Sequence, residues 1–224
     1  ARQILPMIDF RDQPALARFT GAALQGLRYD RPYRTGPFDE RESPDDAPQP
    51  PPSDEDGWLV VTADYVTSGD GTGLVHTAPA FGADDYATGR KFGLPLFKTV
   101  EADGKIAARQ GLERFAGMWF KDADREITRD LKERQLLLHA DRYKHSYPFC
   151  WRCDTPLLQF ASKSWFVRTT AIRDILVEKN ATIDWHPSAI GTGRFGNWLE
   201  GVVDWALSRK RYWGTPLPIW KCDL

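Results

Sequence analysis

GTGLVHTAPAFGADDY, residues Gly71–Tyr86, holds a glycine turn, a short apolar run, a second turn and the start of a helix. Gly71-Thr72-Gly73 matches neither G-x-G-x-x-G nor G-x-x-x-x-G-K-[ST], and an apolar run follows it rather than a helix. The converging N–H groups of a phosphate cradle are therefore not provided. The glycines read instead as a tight turn. Leu74–Thr77 reads as a short strand carrying His76. Asp84–Phe92 reads as a helix, with Asp84 and Asp85 in its first turn and Arg90 and Lys91 in its last. On such a strand, His76 is either a hydrogen-bonded core residue or a pocket residue. Both carboxylates have a plain role at a helix start, yet one suffices for a cap. The other is available to face a cleft and bind a cationic group such as an amine. A strand-end histidine and a helix-start carboxylate then share one cleft. No third ligand of suitable type stands near in sequence, which argues against a metal there.

Outward from this stretch, the class is mixed α+β with a β core. Trp58–Val66 (WLVVTADYV) reads as a strand, as do a segment near Ala17–Leu24, Val202–Leu207 and Leu217–Trp220. Residues 1–35 otherwise open with a short helix or strand. Phe97–Val100 and Lys105–Ala107 flank Asp103-Gly104, a hairpin signal. Asp122–Leu137 reads as a helix capped by Asp122, with Ala123, Ile127, Leu131 and Gln135 at four-residue spacing. Leu138–His145 returns to extended chain. Thr169–Lys179 and Arg194–Gly201 read as further helices, the first with Ile172, Ile175 and Leu176 on one face. Ser43–Gly57 holds five prolines and five acids and reads as a surface loop.

The 224 residues are 42% hydrophobic, enough for a sizeable core in one large or two small domains. The net charge of −1 gives no global basic field for nucleic acid. No apolar run reaches the ~20 residues that span a bilayer, and the N-terminus is not a secretory signal. Three cysteines, two of them as Cys150-x-x-Cys153, argue for a reducing compartment. That pair is half of a zinc site or a buried or free thiol pair. Ser208–Trp213 (SRKRYW) is either an RNA contact or a solvated strand end. Six of nine tryptophans follow residue 160, pointing to a separately packed region or an interface. The start without Met and the stop after PLPIWKCDL read as a piece of a larger protein.

GTGLVHTAPAFGADDY resembles the editing-site motif of isoleucyl-tRNA synthetases, in the connective polypeptide 1 domain inserted into the class I catalytic domain. LFKTVEADGKI resembles the segment after the editing helix. HSYPFCWRCDTPLLQFASKSWFVRTT resembles the return from the insertion, and DWALSRKRYWGTPLPIW the re-entry into the catalytic core. These blocks stand in the family's order over roughly residues 15–221. The histidine of GTGLVH separates this chain from valyl (GTG-x-V-K) and leucyl (GTGAVM) relatives.

The resemblance implies an α+β fold with a β-barrel-like editing core and peripheral helices over residues 1–160, and a return segment, a piece of the catalytic core, over 161–224. It implies post-transfer editing, the hydrolysis of valine misattached to tRNA(Ile). In that reading Asp85 anchors the α-ammonium, and His76 measures the side chain and holds the terminal adenosine. Gly71, Thr72, Gly73, Thr77, Ala78, Pro79 and Asp84 shape the pocket. Editing itself needs no cofactor. Cys150 and Cys153 are expected to hold zinc completed by cysteines outside this chain. The partners implied are the 3′ end of tRNA(Ile) carrying valine and the rest of the synthetase, with a monomeric, cytoplasmic protein and no membrane. The family's threonine-rich segment is expected before residue 1, and without HIGH- or KMSKS-like signatures the chain alone is not expected to aminoacylate. The rival readings are a non-catalytic tRNA-docking or zinc-binding module and a free-standing trans-editing hydrolase.

Overall fold

The computed structural model describes residues 17, 19–41, 50–53, 55–67, 73–140, 142, 144–208, 216–220 and 222. The chain divides into two compact units, Ala1–Ala161 and Ser162–Leu224. The architecture is mixed, with helices joined by small two-stranded sheets.

In the first unit, β1 (Glu40–Arg41) pairs antiparallel with β2 (Pro95–Leu96), Glu40 opposite Leu96 and Arg41 opposite Pro95. Between them in sequence lies α1 (Ala83–Phe92), and α2 (Phe120–Glu133) follows. Single antiparallel bridges join Arg28 to Leu59, Val100 to Ile106, Lys105 to Trp119 and Phe149 to Pro156. The Asp103-Gly104 turn forms as its sequence predicts, with Glu101 and Lys105 joined at 2.7 Å and Ala107 donating to Thr99 at 2.9 Å. Gly104 sits at φ +81°, and a Cβ there would come within 2.0 Å of the Trp119 ring. Only glycine meets both demands.

The core of this unit is Val100, Ile106, Leu112, Phe115 and Ala123, with Tyr33, Phe81, Met118, Phe120, Ile127 and Leu158 packed on it. On α2, Ala123 and Ile127 face inward as their four-residue spacing demands. Asp130, one turn further on, is only 5% exposed. A buried carboxylate needs partners, and it has three. It accepts from Tyr33 Oη at 2.7 Å and from Arg134 at 3.2 Å, and it pairs with Arg114. These bonds and the two cations hold its carboxyl below the usual range. Burial, reinforced by that carboxylate, pushes the Tyr33 phenol up to about 12.

In the second unit, β3 (Phe166–Val167) pairs antiparallel with β4 (Trp205–Ala206). Three helices lie between them, α3 (Arg173–Asn180), α4 (Ala189–Thr192) and α5 (Arg194–Glu200). Asp204 ties the start of this array down by accepting from the Thr170 N–H at 3.0 Å and hydroxyl at 2.6 Å. Those bonds lower its carboxyl.

Several expected elements differ. Ala17–Leu24 is not a strand: Gly21–Leu24 is a 3-10 turn. Small residues there offer no alternating face to bury, and Ala23 and Gln25 bond back to Thr20 and Ala22. Among the described residues, Trp58–Val66 pairs only at its start, where Val60 and Leu27 bond at 2.8 Å. Leu74–Thr77 forms no ladder among the described residues, and Leu74 and Val75 are exposed. Leu217–Trp220 likewise forms no strand. Helix α2 starts two residues before Asp122, with Trp119 at the N-cap, so Asp122 lies inside the first turn. Gln135, expected on the helical face, lies past its end at φ +57°. Thr169–Ile172 is 3-10 helix leading into α3, where Ile172 and Ile175 are exposed.

Candidate functional site

The histidine, the turn and the helix start of HTAPAFGADDY fold as one pinned loop. Gly82 is the N-cap of α1 and has no side chain to cap with. Asp85, in the first turn, does not cap its own helix. Its Oδ2 reaches back and accepts the N–H of Ala78 at 3.0 Å. The carboxylate thus fixes the Thr77–Pro79 backbone, a role beyond the cap and dipole functions of an acid at that position. Phe81 donates its N–H to the carbonyl of Ala78 at 2.8 Å and closes the turn. Phe81 also inserts its ring into the core cluster, which ties the loop to the interior.

Two further supports hold the loop. Helix α1 presses on Pro79 through Gly89, where a Cβ would fall 2.8 Å from the Pro79 ring. Residues 159–161 supply the second support. Ala161 donates to the carbonyl of Ala80 at 2.8 Å, and the Gln159 side-chain oxygen accepts the Ala83 N–H at 3.2 Å. The Phe160 ring meets Phe81 edge-on at 6.1 Å. Gln159, Phe160 and Ala161 are therefore positioning residues for this loop. Sequence reasoning missed them because no local pattern signals a contact across about eighty residues.

The remaining predicted residues fall as follows. His76 is exposed and makes no hydrogen bond with any described residue, so it is not a satisfied core histidine. Thr77, Ala78, Pro79 and Asp85 are half-buried, and Asp84 is exposed. Gly73 turns the chain at φ +74°. Gly71 and Thr72, and Arg209–Trp213 of the basic–aromatic cluster, lie outside the described residues. A separate cleft of about 350 Å³ is lined by Arg28, Tyr29, Asp30, Glu55 and Trp58, none of them a predicted site residue.

Cys150 and Cys153 sit on the turn of a small hairpin. Cys150 donates to the carbonyl of Thr155 at 2.9 Å, Leu157 to Pro148 at 3.0 Å, and Asp154 takes the left-handed conformation at φ 52°. The turn aims the N–H groups of Arg152 and Cys153 at the Cys150 sulfur. These, with the Cys153 thiol and the Arg152 charge, lower its pKa. Such a turn favours the thiolate that a metal requires. The pair fits half of a tetrahedral zinc site. No third His, Cys, Asp or Glu joins it among the described residues.

The family model for class I tRNA synthetases (I, L, M and V) matches residues 38–223. The chain belongs to that class. Within it, the similarity is to isoleucine–tRNA ligases. The Thermus thermophilus enzyme of that name is 50% identical over 94% of this chain and 18% of its own length. The Dehalococcoides mccartyi (strain ATCC BAA-2266 / KCTC 15142 / 195) enzyme is 45% identical over 100% of this chain and 22% of its own. That of Clostridium novyi is 53% identical over 76% of this chain and 16% of its own. The chain spans about a fifth of the length of the relatives it matches.

Proposed function

We propose that this chain carries the editing site of an isoleucine–tRNA ligase and hydrolyses valine misattached to tRNA(Ile). A synthetic pocket that separates isoleucine from valine by one methylene gains only ~1–3 kcal/mol, so a second sieve has to destroy the error. The observation that carries the reading is the bond from the Ala78 N–H to Asp85. It makes one rigid unit of a pocket wall and a carboxylate. With one oxygen holding the wall, the carboxylate still has lone pairs for an ammonium, by charge-assisted hydrogen bonds. His76, exposed beside Thr77, limits the side chain accepted and contacts the terminal adenosine. The ester is already activated, so positioning a water against it suffices and no general base is assigned.

In this reading the bridged short strands of residues 1–160 belong to a barrel-like editing core, and 161–224 return to the catalytic domain. Cys150 and Cys153 hold a zinc ion with ligands from outside the chain. The zinc would stiffen the hairpin that leads into Gln159–Ala161.

The test is deacylation of valyl-tRNA(Ile) by this chain and by the intact synthetase, with isoleucyl-tRNA(Ile) as control. Selective release of valine is the expected result for the intact synthetase. Release by the chain alone would place a working site within these residues. No editing by either would sink the reading.

A further inference from the structure

Among the described residues, Trp58–Val66 has no strand partner beyond Val60, yet its far end is tied down by side chains. The Thr62 hydroxyl donates to the Gln25 side-chain oxygen at 3.2 Å. A turn then closes from the Val66 N–H to the Ala63 carbonyl at 3.1 Å and presents Tyr65. The Tyr65 hydroxyl is hydrogen-bonded to the Thr88 hydroxyl of α1 at 3.1 Å. Tyr65 is 46% exposed, whereas Thr88 is only 6% exposed. A buried hydroxyl needs a partner. Tyr65 is the one that the Thr88 hydroxyl has among the described residues.

Thr88 stands at a decisive place on α1. Asp85, Thr88 and Gly89, at i, i+3 and i+4, share one side of the helix. Two of the three set the candidate site. Asp85 accepts the Ala78 N–H at 3.0 Å, and Gly89 lies so close to Pro79 that a Cβ would fall 2.8 Å from its ring. The third is held by Tyr65. From this arrangement we propose that Tyr65 is a positioning residue for the Thr77–Pro79 wall, acting through Thr88. Its hydroxyl fixes the place of α1, and with it the distance between the wall and the Asp85 carboxylate. The inference rests on the editing reading and adds a residue which that reading does not use. Without the hydroxyl, α1 shifts against the wall. The ester and its water then lose alignment, a loss felt in kcat. The ammonium anchor on Asp85 remains, so KM changes little.

The test uses the intact synthetase and two readouts, valyl-tRNA(Ile) deacylation kinetics and hydrogen exchange across Thr77–Phe81. Tyr65→Phe should lower kcat by roughly 3- to 30-fold with KM little changed, and the Ala78 amide should exchange faster. Thr88→Val should do the same, and Thr88→Ser, which keeps the hydroxyl, should behave as the parent does. The double variant Tyr65→Phe/Thr88→Val should lose no more than the worse single one, because the two hydroxyls act as a unit. The proposal is overturned if Tyr65→Phe melts lower yet keeps the parent's kcat and exchange, since the bond would then be structural support alone. Additive losses in the double variant, or a raised KM with kcat unchanged, would also overturn it. The exchange readout needs no reaction. Faster Ala78 exchange in Tyr65→Phe with no valine released by the parent would count against the editing reading alone. Valine release with exchange and kcat unaltered by Tyr65→Phe would count against the positioning role alone.

Discussion

At the scale of single residues, Asp85 has two duties that substitutions can separate. Asparagine keeps an oxygen for the Ala78 N–H but loses the charge, whereas alanine loses both. In the intact synthetase, Asp85→Asn should leave the loop in place and lower kcat/KM for valyl-tRNA(Ile) deacylation by about 10- to 100-fold, the loss of a hydrogen bond to a charged group. Asp85→Ala should lose at least as much and melt lower. Deacylation kinetics with thermal melts check both, and an Asp85→Asn enzyme as active as the parent would remove the amine role. His76 is exposed and makes no hydrogen bond with any described residue, so His76→Ala should leave the melting temperature unchanged while isoleucyl ester also becomes a substrate. The sequence made both residues stand out by type and spacing. It did not disclose the bond from Ala78 to Asp85, because an acid in a first helical turn has ordinary partners within the helix, and only the fold brings a preceding turn within reach.

At the scale of elements, the longer helices were legible and the strands only in part: Val202–Leu207 holds β4 and the Asp103-Gly104 hairpin forms, whereas the short helix α4 was not read. Helix α1 was readable from its end charges, α2 from four-residue spacing, and α5 within a residue. These signals are local. Strand pairing is not, and WLVVTADYV has the composition of a strand throughout yet finds a partner among the described residues only near Leu59 and Val60. The α2 junction shows the same limit. Of the partners of Asp130, which lies on an apolar face, only Arg134 stands at local i,i+4 spacing, and nothing local predicts Tyr33 and Arg114. That cluster sets two pH windows. The Asp130 pKa is lowered on folding, so its stabilisation is present above the ordinary carboxylate value near ~4 and is lost as pH falls through the folded value. The Tyr33 pKa is raised to about 12, so its contribution is full below the unfolded value near ~10 and lost as pH rises through the folded one. Tyr33→Phe should remove the alkaline loss seen in urea midpoints between those values, whereas an unchanged alkaline limb would exclude Tyr33 as its source. Helix α1 makes a different demand. Gly89→Ala puts a methyl 2.8 Å from Pro79, backbone-linked atoms that cannot swing aside. It should lower editing kcat/KM in the intact synthetase more than its modest effect on melting, because the displaced proline forms the pocket wall.

At the scale of the whole molecule, the resemblance carried more than any local pattern. Its blocks cover nearly the span over which the class I family model matches, residues 38–223. The zinc site proposed at the cysteine hairpin belongs to this scale. A tetrahedral zinc asks for four ligands, and the described residues gather two. The turn N–H groups that lower Cys150 favour its thiolate, the form that binds a metal. Two thiolates with water in the other positions bind zinc far more weakly than four protein ligands. The 224-residue chain should therefore take up one equivalent of zinc and lose it on dialysis against a chelator, and Cys150→Ser should abolish uptake. The intact synthetase should keep its zinc through the same dialysis. Elemental analysis before and after dialysis measures both. Zinc retained by the chain alone would mean that its own residues complete the site, and Cys222 would be the first ligand to replace. Loss from both proteins would mean that no further ligands join Cys150 and Cys153, leaving the pair as free thiols on a hairpin held by its backbone bonds.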